Sequence, residues 1–306
     1  MTWFGGEPLL ALRVIRELSN RFVAAASASG KPYGARMATN GSLLTNRTLR
    51  MLHEECKLEA MDVTIDGPAE LHDQRRLKRN GIGSFHHTMA VIAEAVRERT
   101  APGLLIGIRV NVDARNEGSV ADLIADLACF GLASPQVMLH MTPVHSWGND
   151  VSRIELEARR YASMEAGWLR LAESYGIGFG CLPTAVKKTT CRATSVYGEI
   201  IDSSGRIYSC SEHPLVPVAR DTGVIATIGD LAATAARPLG QFDDWYDQVS
   251  DGVQPCGRCP LLPVCGGSCP KLWRDGSMPC PSTKFNWEER MDIAARRLGY
   301  QPADAE

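Results

Sequence analysis

The sequence predicts an α/β fold, a parallel sheet with crossover helices, followed by a cysteine-rich region suited to a soft metal centre. Three observations predict it. Apolar strand-like runs alternate with helical stripes through the first 150 or so of the 306 residues. Polar, glycine-containing segments follow one strand after another. Seven of the ten cysteines fall beyond residue 190, at short and regular spacings.

Thr2-Trp3-Phe4 reads as the end of a strand running into Gly5-Gly6-Glu7-Pro8. A helix follows, with Pro8 near its first turn, Leu9, Leu12, Ile15, Leu18 and Phe22 on one stripe, and Gly30 at its end. Tyr33 to Thr39 is a strand closed by Asn40-Gly41, residues 46–56 a helix, and Glu59 to Ile65 the next strand. Ser84 stands where it can cap a helix carrying Phe85, Met89, Ile92 and Val96. Leu104 to Val112 is a strongly apolar strand, Val120, Leu123, Ile124 and Leu127 mark a helix, and Gln136 to Met141 a further strand. Five strands separated by four helices imply parallel pairing with right-handed crossovers. In such sheets ligands bind beyond the carboxyl ends of the strands. Gly5 to Pro8, Thr39 to Gly41, Asp66 to Pro68, Asn111 to Asp113 and His145 to Asn149 all fall there and read together as a pocket rim. A long amphipathic helix, residues 153–175, leads toward the cysteines, and Ser203-Ser204-Gly205 reads as the turn of a hairpin.

A net charge of −2 leaves no footprint for a polyanion, so nucleic acid is not an expected partner. No apolar run reaches membrane-spanning length. The N-terminus shows no charged stretch followed by an apolar one, so we expect a cytoplasmic protein with reduced thiols. Cys56 and Cys129 sit in helical apolar patterns and read as core residues.

Cys191, Gly205 and Cys210 are followed by Cys256-x2-Cys259-x5-Cys265-x3-Cys269 and then Cys280. Interleaved Gly and Pro let short loops turn tightly around a centre. Four thiolates make one site, and seven suggest two. Structural zinc on Cys256, Cys259, Cys265 and Cys269 is an alternative that leaves Cys191, Cys210 and Cys280 unused. Iron–sulfur ligation uses the whole set.

Gly5-Gly6-Glu7-Pro8 at a strand end, the α/β units after it and the seven-cysteine pattern together resemble the radical S-adenosylmethionine (SAM) enzymes with a C-terminal SPASM domain. The resemblance spans essentially the whole chain. It implies a partial, TIM-like (β/α) barrel over residues 1–150, a helical linker over 151–185 and a SPASM domain over 186–306. Gly5, Gly6 and Glu7 would hold the amino group of SAM. Val63-Thr64-Ile65-Asp66-Gly67-Pro68 with Arg75-Arg76 looks like the ribose- and carboxylate-contacting segment, assigning a ribose role to Thr64, a carboxylate partner to Arg76 and a backbone contact near the adenine to Val144. Two auxiliary 4Fe–4S clusters are implied, the nearer on Cys191, Cys210 and Cys269, the farther on Cys256, Cys259, Cys265 and Cys280.

The resemblance implies a peptide or protein maturase that uses an adenosyl radical on a side chain, with flavodoxin or ferredoxin as reductant. Three departures matter. Residues 192–197 lack the fourth thiol that sulfatase maturases bring to the nearer cluster, leaving an open iron, Cys181 or a non-cysteine ligand. Ser211 stands where those enzymes carry an acidic base, which points toward other peptide maturases while keeping the sulfatase maturase as an alternative. The Cys-x3-Cys-x2-Cys loop of the SAM-cleaving cluster is not in this sequence, and the barrel is expected to lack its first βα unit. A non-catalytic cluster- or peptide-binding partner and a zinc-stabilised binding module therefore also stay open.

Overall fold

A computed structural model describes residues 1–77, 81–234 and 237–300. The chain divides into two compact units. The first comprises residues 1–144 and 164–181, the second 145–163 and 182–306.

The first unit is built on one six-stranded sheet. Its strands are β1 (Thr2–Trp3), β2 (Ala35–Thr39), β3 (Leu58–Thr64), β4 (Leu105–Val112), β5 (Val137–Pro143) and β6 (Gly178–Phe179). Each pairs in parallel with its successor, so spatial order equals chain order. A doubly wound sheet would reverse direction at a switch point, whereas sequential order is that of a barrel wall. The connections are α1 (Leu12–Ala28), α2 (Asn46–Glu54), α3 (Ala69–Arg75), α4 (Phe85–Arg97), α5 (Val120–Cys129) and α6 (Ala158–Ser174).

Alternation along the strands separates two faces. Met61 and Val63, Ile106, Ile108 and Val110, and Val137 and Leu139 are buried. The stripes of α4 (Met89, Ile92) and α5 (Leu123, Ile124, Leu127) are buried as well. Removing any one of these Leu or Ile side chains costs roughly 2–5 kcal/mol. The other strand face carries Arg36, Asp62, Thr64, Arg109, Asn111, His140 and Thr142, all at least partly exposed. A parallel sheet is ordinarily apolar on both sides, so this polar face marks where the first unit departs from simple core packing.

Several sequence expectations need correction. The sheet has six strands, not five, because β6 is only two residues long and has no periodicity to read. An extra helix, α3, lies between β3 and β4, and α6 starts at Ala158 rather than residue 153. Cys56 is buried as expected, but Cys129 is exposed. Cys129 stands two residues past Leu127, about 200° around the helix from that buried stripe. Ser84 precedes α4 without capping it. Its hydroxyl bonds His72 Nε2 (3.0 Å) and the Arg76 carbonyl (3.2 Å) instead. Asp73 Oδ1 takes the cap's place, accepting from the amides of Ser84 (2.8 Å) and Phe85 (3.0 Å).

The second unit holds a three-stranded antiparallel sheet, β7 (Ile200–Ile201), β8 (Arg206–Tyr208) and β9 (Val224–Thr227). Short helical turns and loops carry most of its remaining chain. Gly205 closes the β7–β8 hairpin at φ 77°, a conformation that glycine adopts at little cost. With so little regular structure, the unit rests on specific polar ties. The clearest is the Arg237–Asp243 pair (2.8 Å), whose side chains are 3% and 5% exposed. Among the described residues no helix is long and apolar enough to cross a membrane.

Candidate functional site

In the first unit the glycine loop after β1 is fixed from the next strand. Gly5 and Gly6 have φ values of 92° and 41°, and space beside Gly6 is open. Glu7 Oε1 accepts from Thr39 Oγ1 (2.6 Å) and the Leu9 amide (3.0 Å), and Oε2 from the Asn40 amide (2.8 Å). Most of the carboxylate's capacity is therefore used in capping the 3₁₀ turn Pro8–Ala11 and tying β1 to β2. What the loop offers a cationic ligand is chiefly the carbonyls of Gly5 and Gly6.

The ends of β3 and β4 carry a charge network. Asp66 and Asp113 are fully buried carboxylates. Arg76 Nε donates to Asp66 Oδ2 at 2.6 Å. Arg75 bridges the two acids, at 2.8 Å from Asp113 and 3.8 Å from Asp66. Arg115 Nη2 donates to Asp113 Oδ2 at 2.6 Å. Burial alone would push the Asp113 carboxyl up, but hydrogen bonds from Arg115 and the charge of Arg75 outweigh it and hold it below the usual carboxylate range. Asn116 completes the network, donating to the carbonyls of Asp66 (2.7 Å) and Asn111 (2.9 Å). Three guanidinium groups against two carboxylates leave a positive excess, and the terminal nitrogens of Arg76 make no hydrogen bond among the described residues.

Thr64 is the last residue of β3, on the polar face and in register with Arg109. The Val144 amide donates to the Val112 carbonyl at 2.9 Å, so only its own carbonyl is left for a ligand. Arg115 and Asn116 were missed in reading the sequence, and Asp113 entered only as part of the pocket rim. The cue was there, an acidic residue directly after an apolar strand, but a turn reading absorbs it.

In the second unit the cysteines gather in two groups. Cys256, Cys259, Cys265 and Cys280 all line one cavity of about 150 Å³, together with Trp273 and Lys284. Cys191 packs against the small buried cluster of Ala193, Cys210 and Phe242. Burial, with the neighbouring thiols Cys191 and Cys269 adding to it, pushes the Cys210 thiol up to about 12. Burial also raises Cys256, with Cys265, Cys280 and Cys259 contributing next. Desolvated thiols crowded in this way become thiolates only when a cation joins them. Both groups therefore have the chemistry of soft-metal donor sets. Among the described residues, however, no three His, Cys, Asp or Glu side chains gather tightly enough to hold a single ion. The four thiols are instead spread around the cavity.

The loop between the groups is fixed by backbone geometry. Gly266, Gly267 and Ser268 follow one another with φ of 69°, 87° and 62°. Trp245 Nε1 donates to the Gly266 carbonyl (3.1 Å) and Trp273 Nε1 to that of Gly267 (2.9 Å). A Cβ at Gly267 would stand 2.8 Å from the Trp245 ring. We expect Gly267→Ala to destabilise the second unit by about 1–3 kcal/mol. Thermal melts of the apo protein would show this, and an unchanged melting temperature would contradict it. Lys284 Nζ donates to Cys280 Sγ at 3.4 Å, putting a cation beside the four-thiol cavity.

Comparison with solved structures sets this arrangement in context. A structure of native anSMEcpe with bound AdoMet and the Kp18Cys peptide superposes with a TM-score of 0.69, covering 97% of this chain and 83% of that one at 17% identity. Native anSMEcpe with bound AdoMet gives the same score and coverage at 18% identity. A histidine-tagged form with bound AdoMet matches over 79% of its own chain at 16% identity. This chain shares their fold. AnSMEcpe is an anaerobic sulfatase-maturating enzyme of the radical SAM/SPASM class. No family model matches this sequence, and no curated relative does either. At such low identity the likeness speaks for architecture, and the chemistry must be argued from the side chains.

Proposed function

We propose that this chain is the scaffold of a radical SAM/SPASM maturase acting on a peptide or protein side chain. The carrying observation is the sorting of seven cysteines into two groups, three and four, in a chain that shares the fold of an AdoMet- and peptide-bound protein. Cys191, Cys210 and Cys269 would hold one auxiliary 4Fe–4S cluster, and Cys256, Cys259, Cys265 and Cys280 the other. Thiols spread around a cavity suit a cubane better than a single tetrahedral zinc ion.

SAM would lie across the carboxyl ends of the strands. Carbonyls of Gly5 and Gly6 suit its ammonium, and Glu7 holds them in place through Thr39 and Asn40. The free edge of Arg76, aimed by Asp66, suits its carboxylate in the bidentate manner of guanidinium. Thr64 and the carbonyl of Val144 are the remaining contacts, to ribose and adenine. Together with a SAM-cleaving cluster, which the cysteines of this sequence do not supply, bound SAM would yield a carbon radical able to take hydrogen from an unactivated side chain. The chain's own task is to orient the substrate and keep water and competing donors away. A low-potential carrier such as flavodoxin or ferredoxin would deliver electrons. Neither nucleic acid nor membrane is proposed as a partner.

Anaerobic reconstitution with iron and sulfide should load about eight irons per chain, the content of two 4Fe–4S clusters. Calorimetry on the reconstituted protein should then show SAM binding that Arg76→Ala weakens. Stoichiometric zinc without iron absorbance would sink the cluster assignment. Undisturbed SAM binding in Arg76→Ala would sink that residue's role. Kp18Cys-type peptides test the sulfatase-maturase version of the reading, which Ser211 disfavours.

A further inference from the structure

On the polar face of the first unit's sheet, Asp62 of β3 and His140 of β5 meet over β4. Asp62 Oδ1 and His140 Nδ1 are 3.2 Å apart. Their strands are second neighbours, about 9.5 Å apart at ordinary sheet spacing. The two side chains must lie flat across the intervening strand to touch. They can do so because the residue beneath them is Gly107. A Cβ there would overlap the Asp62 carboxylate and stand 3.0 Å from His140 Nδ1. Three strands thus each contribute one residue to a single arrangement. Both side chains stay partly open, at 44% and 50% exposure, and neither takes part in the Asp66–Asp113 network.

A carboxylate only accepts, so the hydrogen of the neutral ring sits on Nδ1. Nε2 is then a bare acceptor, and it has no hydrogen-bond partner among the described residues. Thr64 and Arg109, in register with one another and with His140, flank it on the same face, and Asn111 stands two residues beyond Arg109 along β4. Arg109 Nε is already engaged by Asn111 Oδ1 at 3.1 Å, which holds that cation along its own strand.

We propose that His140 is the proton acceptor for the substrate and that Asp62 is its positioning residue. The proton leaves an O–H, N–H, S–H or activated C–H of the substrate and bonds to Nε2. Its electron pair stays on the substrate, and Nδ1–H remains on Asp62. The carboxylate fixes ring orientation and tautomer and stabilises the imidazolium that forms. The substrate class is a peptide side chain, and in this respect the proposal rests on the maturase reading above.

The test separates the two ideas. Nitrogen NMR of the imidazoles in the reconstituted protein should show His140 with its hydrogen on Nδ1. Asp62→Asn, and Gly107→Ala with both partners retained, should shift the population to the Nε2–H form. Wild-type His140 already in the Nε2–H form would overturn the proposal whatever the protein's activity. In a form of the protein that also carries the Cys-x3-Cys-x2-Cys loop, given SAM, reductant and a modifiable peptide, His140→Gln should lower product formed per 5′-deoxyadenosine by about a hundredfold, the usual worth of a general base. An unchanged ratio would also overturn it. Wild-type protein that binds neither SAM nor iron would instead overturn the maturase reading and leave the tautomer result to decide this one.

Discussion

Cys280→Ala should cut the reconstituted iron content from about eight atoms per chain to about four. The expectation follows from the way the thiols partition. Cys280 lines the cavity with Cys256, Cys259 and Cys265, and it is the one member contributed from outside the Cys256–Cys269 loop. Cys191, Cys210 and Cys269 form their own group and should keep their iron. Cys129→Ala serves as the control, since that thiol is exposed at the end of α5 and should change nothing. Loss of all iron in Cys280→Ala would show one cooperative centre rather than two. No loss would remove Cys280 from the ligand set. Cys181→Ala addresses the remaining position of the three-thiol group, and a loss of iron there would supply the ligand that residues 192–197 do not.

Asp113→Asn should destabilise the first unit by about 3 kcal/mol, read as a lowered denaturant midpoint. Removing one partner from a buried ion pair typically costs 3–5 kcal/mol, because the other charge is left unpaired. The lower end applies here, since the Arg115 side chain is 58% exposed and keeps much of its hydration, whereas Arg75 is only 20% exposed. The substitution should also change the acid response. The folded-state pKa of Asp113 is depressed, so its contribution is complete above the unfolded value of about 3.9. That contribution is lost as pH falls from there through the lower folded value. Wild type should therefore lose stability more steeply than Asp113→Asn below about pH 4. Parallel acid limbs for the two proteins would show that the arginines do not stabilise the ionised form.

Much of this architecture was legible because the signals are local. The stripe Val120, Leu123, Ile124 and Leu127 has helical period and is buried as a set. Leu105–Val112 is an apolar run of strand length and sits inside the sheet. The β7–β8 hairpin follows from a turn that needs a left-handed residue, and Gly205 supplies it. The cysteine spacing was readable for a similar reason, since a short loop limits how far apart its thiols can lie. Two-residue β6 and the seven-residue α3 were not legible, because neither is long enough to show a period.

The sequence by itself determined the order of the first five strands, of the helices α1, α2, α4 and α5 between them, and the presence of two thiol-rich groups. It also placed glycine at most of the positions where the loops turn left-handed, with Lys57, Arg99 and Ser268 as exceptions among the described residues. Those properties depend on neighbours within a few residues, where propensity and backbone sterics decide. Only the tertiary structure decided what the polar side chains do. Glu7 is largely spent on Thr39 and Asn40, 32 and 33 residues away. Arg76 is aimed by Asp66, and Arg75 joins it to an aspartate 38 residues on. Asp62 and His140 meet across 78 residues because strand pairing sets their register and Gly107 leaves the space between them empty. Such contacts follow from the packing of a whole sheet, and no window of sequence contains both partners.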